Sequence, residues 1–168
     1  MNTERYELNL GPQHPSTHGV LRVVVDMDGE TCVGAETVIG YLHRGVEKMA
    51  ETRTYQQFLP YTDRLDYLAG INNNLTYILA VEKLLDIEIP ERAQYLRMIT
   101  AELMRIASYM VGIGIFVMDL GAVSGAFYPF QQREYVLECI SALCGARMTQ
   151  NYIRVGGVYG DTNDDFDR

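Results

Sequence analysis

The stretch that decides the fold is PERAQYLRMITAELMRIASYMVGIGIFVMD, residues 90–119. Pro90 suits the first position of a helix, where its missing N–H would have no intrahelical partner in any case. Apolar residues then recur every three or four positions, the period of an amphipathic helix ending near Met118; they are Leu96, Ile99, Leu103, Ile106 or Ala107, and Met110. The uncharged part, residues 106–118, is shorter than the roughly 18–20 apolar residues that cross a bilayer, so we expect a buried helix.

Upstream of this helix, the sequence predicts further helical segments. Apolar residues repeat at helical spacing over residues 63–85, with Glu82 on the same face, and indicate one or two helices. Closely spaced charges over residues 41–51 fit a short helix. Pro60 is expected to interrupt the segment between them and to push Leu59 out of the helical region.

The amino-terminal forty residues instead have the pattern of strands. Residues 6–10 form a short extended run, and residues 20–25 alternate apolar and polar side chains. An Asp28-Gly29 turn then leads into a return strand over residues 31–38. We expect a hairpin with one face buried.

After the long helix, a turn over residues 125–129 precedes a predicted helix over residues 131–148. Residues 152–158 look extended, and the acidic end after them is expected to fray. The predicted fold class is therefore α+β. The predicted regions are residues 1–40, an antiparallel β-sheet or hairpin, and residues 41–168, a helical region ending in a short extended segment and an acidic tail.

Composition narrows the classes of function. The chain has 168 residues, of which 48% are apolar, and a formal net charge of −8. These values fit a globular protein and exclude a disordered chain. With no basic face, nucleic acid is not an expected partner. The start lacks the basic and then apolar run of a secretory signal, so we expect the chain to stay on the cytoplasmic side.

Cofactor motifs are missing from the sequence. The three cysteines form neither a C-x-x-C pair nor a cluster with histidine, so we expect buried, reduced thiols and no metal site. Gly112-Ile113-Gly114 lies within a helical pattern, follows no strand and lacks the third glycine of a dinucleotide fingerprint. We therefore expect no nucleotide, phosphate or metal cluster to be bound by this chain alone.

The loop HPSTH, residues 14–18, is the most unusual feature of the sequence. Its prolines and flanking glycines favour a fixed, tightly turned backbone that would present His18 from a rigid platform. An imidazole can donate or accept a proton near neutral pH, which makes His18 a candidate catalytic residue. The alternative is that the loop histidines only hydrogen-bond to loop carbonyl groups.

Two further positions carry candidate chemistry. In YTDRLDY, residues 61–67, the Tyr67 hydroxyl is able to hydrogen-bond a ligand carbonyl, and the permanent charge of Arg64 is able to stabilise an anion or a reduced cluster nearby. Helix capping and local ion pairs explain the same residues without a function. Asp119 ends the long apolar run, where a carboxylate needs a partner such as histidine, or acts simply as a cap.

Four of these stretches together resemble one family. LNLGPQHPSTHGVLR at residues 8–22, IGYLHRGVEK at 39–48, YTDRLDY at 61–67 and YIRVGGV at 152–158 are similar, in order, to the D subunit of the respiratory NADH-quinone oxidoreductase, complex I. The resemblance covers nearly all of this chain but only the amino-terminal part of the family, whose members are more than twice as long.

The resemblance implies a fold similar to the large subunit of nickel-iron hydrogenases, here truncated to an amino-terminal sheet and an incomplete helix bundle. Hydrogenases hold their metal through paired cysteines, whereas residues 62–69 of this chain contain none. Metal binding and hydrogen chemistry are therefore not expected. In the family the corresponding cavity receives a quinone head group.

The resemblance also implies roles for single residues. His18 and Tyr67 correspond to the side chains that hydrogen-bond the quinone carbonyls and supply protons, and Asp119 to the carboxylate that orients His18. Arg64 corresponds to the arginine beside the partner's terminal iron-sulfur cluster. Thr149 stands where family members often have a histidine, so we expect a weaker pH dependence of the cluster potential.

The resemblance implies that the chain helps to form the quinone-reduction site of a proton-translocating enzyme. It also implies that the chain lies at the cell inner membrane, as a peripheral protein on the cytoplasmic side. Quinone is the substrate, the cluster belongs to a neighbouring protein of the complex, and NADH and flavin are used elsewhere in it. The expected partners are the protein with the terminal cluster, the C subunit and the membrane arm. The alternatives are an equivalent component of a complex linked to reduced F420 or ferredoxin, or a non-catalytic truncated scaffold.

Overall fold

The computed structural model describes residues 4–13, 19–164 and 166. The chain divides into two compact units, Met1–Val46 and Glu47–Arg168. The first unit contains an antiparallel sheet of three strands in the order β1-β2-β3. The strands are β1 (Arg5–Leu10), β2 (Arg22–Asp28) and β3 (Thr31–Val38). The predicted strands are confirmed, and the turn between β2 and β3 consists of Gly29 and Glu30, one residue later than predicted.

The sheet does not have the buried face that its alternating pattern predicts. Among the strand residues only Val25 is buried, while Leu8 and Val33 are 40% and 54% exposed. An alternating pattern specifies which side chains share a face of a sheet, but burial needs a second layer over that face. The described residues of the first unit supply no such layer.

The second unit is mainly helical and ends in a two-stranded hairpin. Its elements are α1 (Val46–Thr52, which begins at the last residue of the first unit), α2 (Tyr55–Thr62), α3 (Gly70–Leu85), α4 (Glu91–Asp119), a 3₁₀ turn (Val123–Ala126), α5 (Phe127–Cys144), β4 (Ile153–Arg154) and β5 (Gly157–Val158). Mixed helix and sheet, with the sheet first, agrees with the predicted α+β class. The extended segment at residues 152–158 is confirmed as the β4-β5 hairpin.

The expectation that Pro60 breaks the helix is wrong. Pro60 lies inside α2, and Leu59 is helical and 3% exposed. A capping box between Thr54 and Gln57 fixes the start of α2. Burial of Phe58 and Leu59 outweighs the local preference of a residue before proline for an extended backbone.

Helix α4 is not the buried helix that the uncharged run predicts. Its buried residues are mostly small and lie on one stripe that includes Ala93, Thr100, Ala101, Ala107 and Gly114. The large apolar side chains of its second half face outward; Ile106, Tyr109, Ile113, Phe116 and Met118 are all at least 40% exposed. By length and composition α4 could span a bilayer, a criterion that helices of soluble proteins also meet.

Helix α5 begins four residues before the predicted position and ends at Cys144. Pro129 is its third residue, where the N–H groups of a first turn have no partner within the helix and a proline is tolerated. A Cβ atom on Gly114 would lie only 3.1 Å from a ring carbon of Phe130, so α4 and α5 approach closely at that point. This contact explains why a glycine occurs inside α4.

A buried ion pair joins α3, α4 and the terminal hairpin. Arg97 binds both carboxylate oxygens of Glu82, with N–O distances of 2.6 and 2.8 Å, and both side chains are under 5% exposed. The guanidinium also donates to the carbonyl oxygens of Arg154 and Gly157, and Glu82 accepts the N–H of Gly156. Burial opposes ionisation of Glu82, yet these hydrogen bonds hold its pKa below the ordinary value.

The residues after the hairpin are better anchored than their acidic composition predicts. Asp161 forms an ion pair with Arg92 at 2.6 Å. The hydroxyl of the buried Tyr152 donates to the carbonyl of Gly160 at 2.8 Å. The expectation that the acidic end frays is therefore wrong up to Asp161.

We predict that Glu82→Gln lowers the free energy of unfolding by about 3 kcal/mol, because the charge of Arg97 would stay buried without its counter-ion. Urea unfolding of the purified chain measures the change. Glu102→Gln is the matched control, since Glu102 pairs with Arg105 while more than half exposed, and should cost less than about 0.5 kcal/mol. Equal losses for the two variants would contradict this role of the buried pair.

Candidate functional site

The turn of residues 63–69 joins α2 to α3 and carries both Arg64 and Tyr67. Backbone hydrogen bonds fix its course, from the N–H of Leu65 to the carbonyl of Thr62 at 3.2 Å and from Ala69 to Asp66 at 3.1 Å. The Asp66 side chain also accepts the N–H of Leu68. The turn is therefore a defined structure and not a loose connection.

The two predicted site residues of this turn point outward. Tyr67 is 61% exposed, and Arg64 is exposed with its guanidinium donating to the carbonyl of Pro60. That contact holds the Arg64 side chain back along α2. A hydroxyl and a permanent positive charge are thus presented three residues apart on one rigid turn.

A layer of buried polar groups lies under the turn. Thr62, Asp63 and Asn74 are each at most 2% exposed. The Asn74 amide donates to the Thr62 hydroxyl, which in turn donates to the carbonyl of Leu59, both at 2.7 Å. Neither carboxyl oxygen of Asp63 has a partner in hydrogen-bond geometry in the described part of the chain.

Burial raises the pKa of Asp63 to about 6, because the ionised form loses its hydration. The positive charge of Arg64, the nearby Asn74 amide, the backbone N–H of Asn151 and the charge of Arg154 act in the opposite direction without cancelling this effect. Asp63 therefore changes charge closer to neutral pH than an ordinary carboxyl group does.

Residues 145–151 approach the turn from the end of α5. Thr149 and Asn151 both have left-handed backbone conformations, with φ values of 52° and 46°. Asparagine adopts this conformation readily, whereas a β-branched threonine does so rarely. Thr149, the position at which the resemblance led us to expect a histidine, is therefore a strained position.

Asp119 is the last residue of α4 and is exposed. A carboxylate is unfavourable at the carboxyl end of a helix, because the helix dipole is negative there. No described side chain forms an ion pair with Asp119. Its predicted partner, His18, lies outside the described residues, so the pairing of His18 with Asp119 stays a prediction.

The two ends of the histidine loop are held together. The N–H of Gln13 donates to the carbonyl of Gly19 at 3.2 Å, across residues 14–18. Gly11 has a φ of 92°, and a Cβ atom there would lie 2.0 Å from the carbonyl oxygen of Leu21, so only glycine fits. The Gly11-Pro12 bond is cis. The ends of the loop thus lie close together, while residues 14–18 themselves are outside the described residues.

The cysteines of the described residues belong to no group of side chains that could hold a metal ion. No group of three or more His, Cys, Asp or Glu side chains is arranged there to hold a metal ion. The prediction of buried thiols is wrong for Cys32 and Cys139, which are exposed; Cys144 is half-buried, and burial raises its pKa.

Comparison with known proteins shows which family the chain resembles. The family described as respiratory-chain NADH dehydrogenase, 49 kDa subunit, matches residues 119–168. Proteins named as the D subunit of NADH-quinone oxidoreductase match 99% of this chain; those of Clostridium beijerinckii and Geobacter sulfurreducens are 55% identical, and that of Desulforamulus reducens is 54% identical. The chain is homologous to the D subunit of NADH-quinone oxidoreductase. The chain spans 43–45% of the length of these relatives.

The predicted resemblance to the D-subunit family is thus confirmed, and the relatives belong by name to an oxidoreductase complex. The aligned region includes the turn with Arg64 and Tyr67 and the histidine loop, since it covers 99% of the chain.

Sequence reasoning did not select Asp63 or the Glu82–Arg97 pair. The sequence does indicate that Glu82 has a buried partner, because Glu82 occupies an apolar position of the α3 repeat. A charge on a buried stripe needs a partner. Its partner lies on another helix, 15 residues away in sequence. Asp63 has no comparable signal, since it stands in a run of charged residues that all look exposed.

We predict that Asp63→Asn stabilises the chain at pH 8 but not at pH 4. The folded state holds the Asp63 proton up to about pH 6, whereas the unfolded chain releases it near 3.8, so the wild type loses stability as pH rises between these values. The difference corresponds to about 3 kcal/mol. Urea unfolding at both pH values measures it, and an equal effect at pH 4 and pH 8 would contradict the origin in ionisation.

We predict that Thr149→Asn raises the free energy of unfolding by about 1 kcal/mol, because asparagine relieves the left-handed strain at this position. Thermal unfolding of the two proteins side by side measures the gain. A loss of stability would mean that contacts of the Thr149 side chain outweigh the backbone strain.

Proposed function

We propose that this chain forms part of the quinone-reduction site of a proton-translocating NADH-quinone oxidoreductase. The observation that carries the proposal is identity of 52–55% to relatives of that name over 99% of the chain, together with a rigid turn that presents Tyr67 and Arg64 outward. The name of these relatives favours NADH as the ultimate donor over reduced F420 or ferredoxin. The quinone is the substrate, and NADH and flavin act elsewhere in the complex.

In this proposal Tyr67 and His18 hydrogen-bond the two carbonyl oxygens of the quinone. Reduction adds two electrons and two protons, so each carbonyl becomes a hydroxyl group. A tyrosine hydroxyl and an imidazole are both able to donate a proton to the oxygen that gains charge. Tyr67 is suited to this role because its backbone is fixed by the turn while its side chain stays accessible.

Arg64 would lie beside an iron-sulfur cluster held by a neighbouring protein of the complex. Its permanent charge favours the reduced cluster electrostatically. Asp119 would orient the imidazole of His18 and favour its protonated form. With Thr149 in place of a histidine, this chain supplies no titrating side chain at that position, so the cluster potential should depend only weakly on pH.

The exposed apolar surface supports a place within a larger assembly. Eight large apolar or aromatic residues of α4 are exposed: Tyr95, Met98, Ile99, Ile106, Tyr109, Ile113, Phe116 and Met118. A groove of about 750 Å³ between α3 and α4 is lined by Leu75, Leu79 and Met98. Surfaces of this kind are usual at protein interfaces. We propose that they complete a bundle similar to that of the hydrogenases and contact the cluster-bearing protein, the C subunit and the membrane arm on the cytoplasmic side of the inner membrane.

We predict that Tyr67→Phe and His18→Ala, in the assembled complex, each lower quinone reduction at least about tenfold, because a proton donor to the quinone is lost. Electron transfer from NADH to a soluble acceptor such as ferricyanide should persist. Both activities are measured on the same membranes. Tyr95→Phe, which removes an exposed hydroxyl from α4, is the matched control and should leave quinone reduction unchanged.

The pattern of losses distinguishes the possible results. Loss of quinone reduction alone supports a place for the changed residue at the quinone. Equal loss of both activities indicates failed assembly and a structural role. Unchanged quinone reduction in Tyr67→Phe would contradict the proposed role of Tyr67.

A further inference from the structure

The buried polar layer under the turn contains a cluster that the proposed reaction does not use. It consists of Asp63, Asn74 and Asn151. Four of its oxygen atoms are buried and have no hydrogen-bond partner in the described part of the chain: both carboxyl oxygens of Asp63 and the amide oxygens of Asn74 and Asn151. Such atoms are rare in folded proteins, because they lose water without a replacement. Four of them on three neighbouring residues point to a role beyond packing.

The carboxyl group of Asp63 lies where three segments meet. A Cβ atom on Gly70, the first residue of α3, would be 3.3 Å from Oδ1 of Asp63. The Asn74 side chain, one turn further along α3, and the backbone N–H of Asn151 are close enough to influence its ionisation without reaching hydrogen-bond geometry. The group therefore touches the turn, α3 and residues 149–151 together.

We propose that Asp63 is a positioning residue: its buried carboxyl group fixes the turn of residues 63–69, and with it Arg64 and Tyr67, against α3 and residues 149–151. The proposal rests on the proposed function in so far as Arg64 and Tyr67 belong to the quinone site. The neutral acid does this better than the carboxylate, because a charge is unfavourable in this buried position and loosens the packing of the turn when it forms.

The charged and titratable groups around Asp63 influence the pH at which its carboxyl group loses a proton. Arg64 of the turn and Arg154 of β4 favour ionisation, while the Cys144 thiol at the end of α5 is held neutral by burial and by the charge of Asp63 itself. Burial outweighs both arginines. The acid form is therefore lost as pH rises through about 6, and the KM for quinone should rise over the same range.

The test uses the assembled complex with four variants of this chain. Asp63→Asn keeps the shape and adds a permanent donor, Asp63→Ala removes the group, and Gly70→Ala displaces the carboxyl group without changing its charge. Asp86→Asn is the control, because Asp86 is exposed at the end of α3 in a left-handed conformation that asparagine also adopts. The measurements are the KM for quinone between pH 5.5 and about 8, NADH-ferricyanide activity, and amide hydrogen exchange of residues 63–69.

We expect Asp63→Ala to raise the KM for quinone about fivefold or more and to speed amide exchange in the turn about tenfold. Gly70→Ala should do the same to a smaller extent. Asp63→Asn should keep a low KM and lose the rise of KM with pH that the wild type shows. Asp86→Asn and the ferricyanide activity of all variants should match the wild type.

Unchanged exchange of residues 63–69 in both Asp63→Ala and Gly70→Ala overturns the proposal. So does a pH dependence of KM in Asp63→Asn identical to that of the wild type. If exchange rises in these variants while the KM for quinone stays constant, Asp63 does position the turn, and the assignment of the turn to the quinone site fails instead. If the complex with Asp63→Ala does not assemble, the amide exchange of Gly70→Ala and the pH dependence of KM in Asp63→Asn test the proposal by the same criteria.

Discussion

The second unit depends on the buried ion pair between Glu82 and Arg97. Two opposite charges out of water are stable only if they face each other and their remaining hydrogen-bonding positions are filled. Here the remaining positions are filled by backbone groups of the β4-β5 hairpin, so the hydrogen bonding of the pair is complete only with the hairpin in place. The ion pair thus couples α3, α4 and the segment after α5, which lie far apart in sequence.

This coupling fixes the elements that surround the candidate site. Asn74 lies on α3, two turns before Glu82, and Arg154 lies in the hairpin that Arg97 holds. Both contribute to the environment of Asp63, under the turn that carries Arg64 and Tyr67. The candidate site is therefore an exposed pair of side chains supported by buried polar groups, and the support comes from elements fixed by an ion pair elsewhere in the unit.

The two sides of α4 differ in the kind of side chain that they present. The second half of α4 exposes large apolar side chains, while its buried stripe consists mostly of small residues and packs against α5 and α3. Helical period alone identifies an apolar stripe, and the run of residues 106–118 is apolar almost all round, so the sequence did not reveal which side is buried here.

The sequence by itself determined the strands, the existence of the main helices, the β4-β5 segment and the family, because these depend on local period, turn residues and motif order. It also indicated Arg64 and Tyr67 as candidates, since they stand in a motif. Only the tertiary structure decided that Pro60 stays inside a helix, that Glu82 meets Arg97, and that Asp63 is buried while its neighbours are exposed. Each of these depends on contacts between elements distant in sequence, and the burial and electrostatic energies of such contacts exceed local backbone preferences.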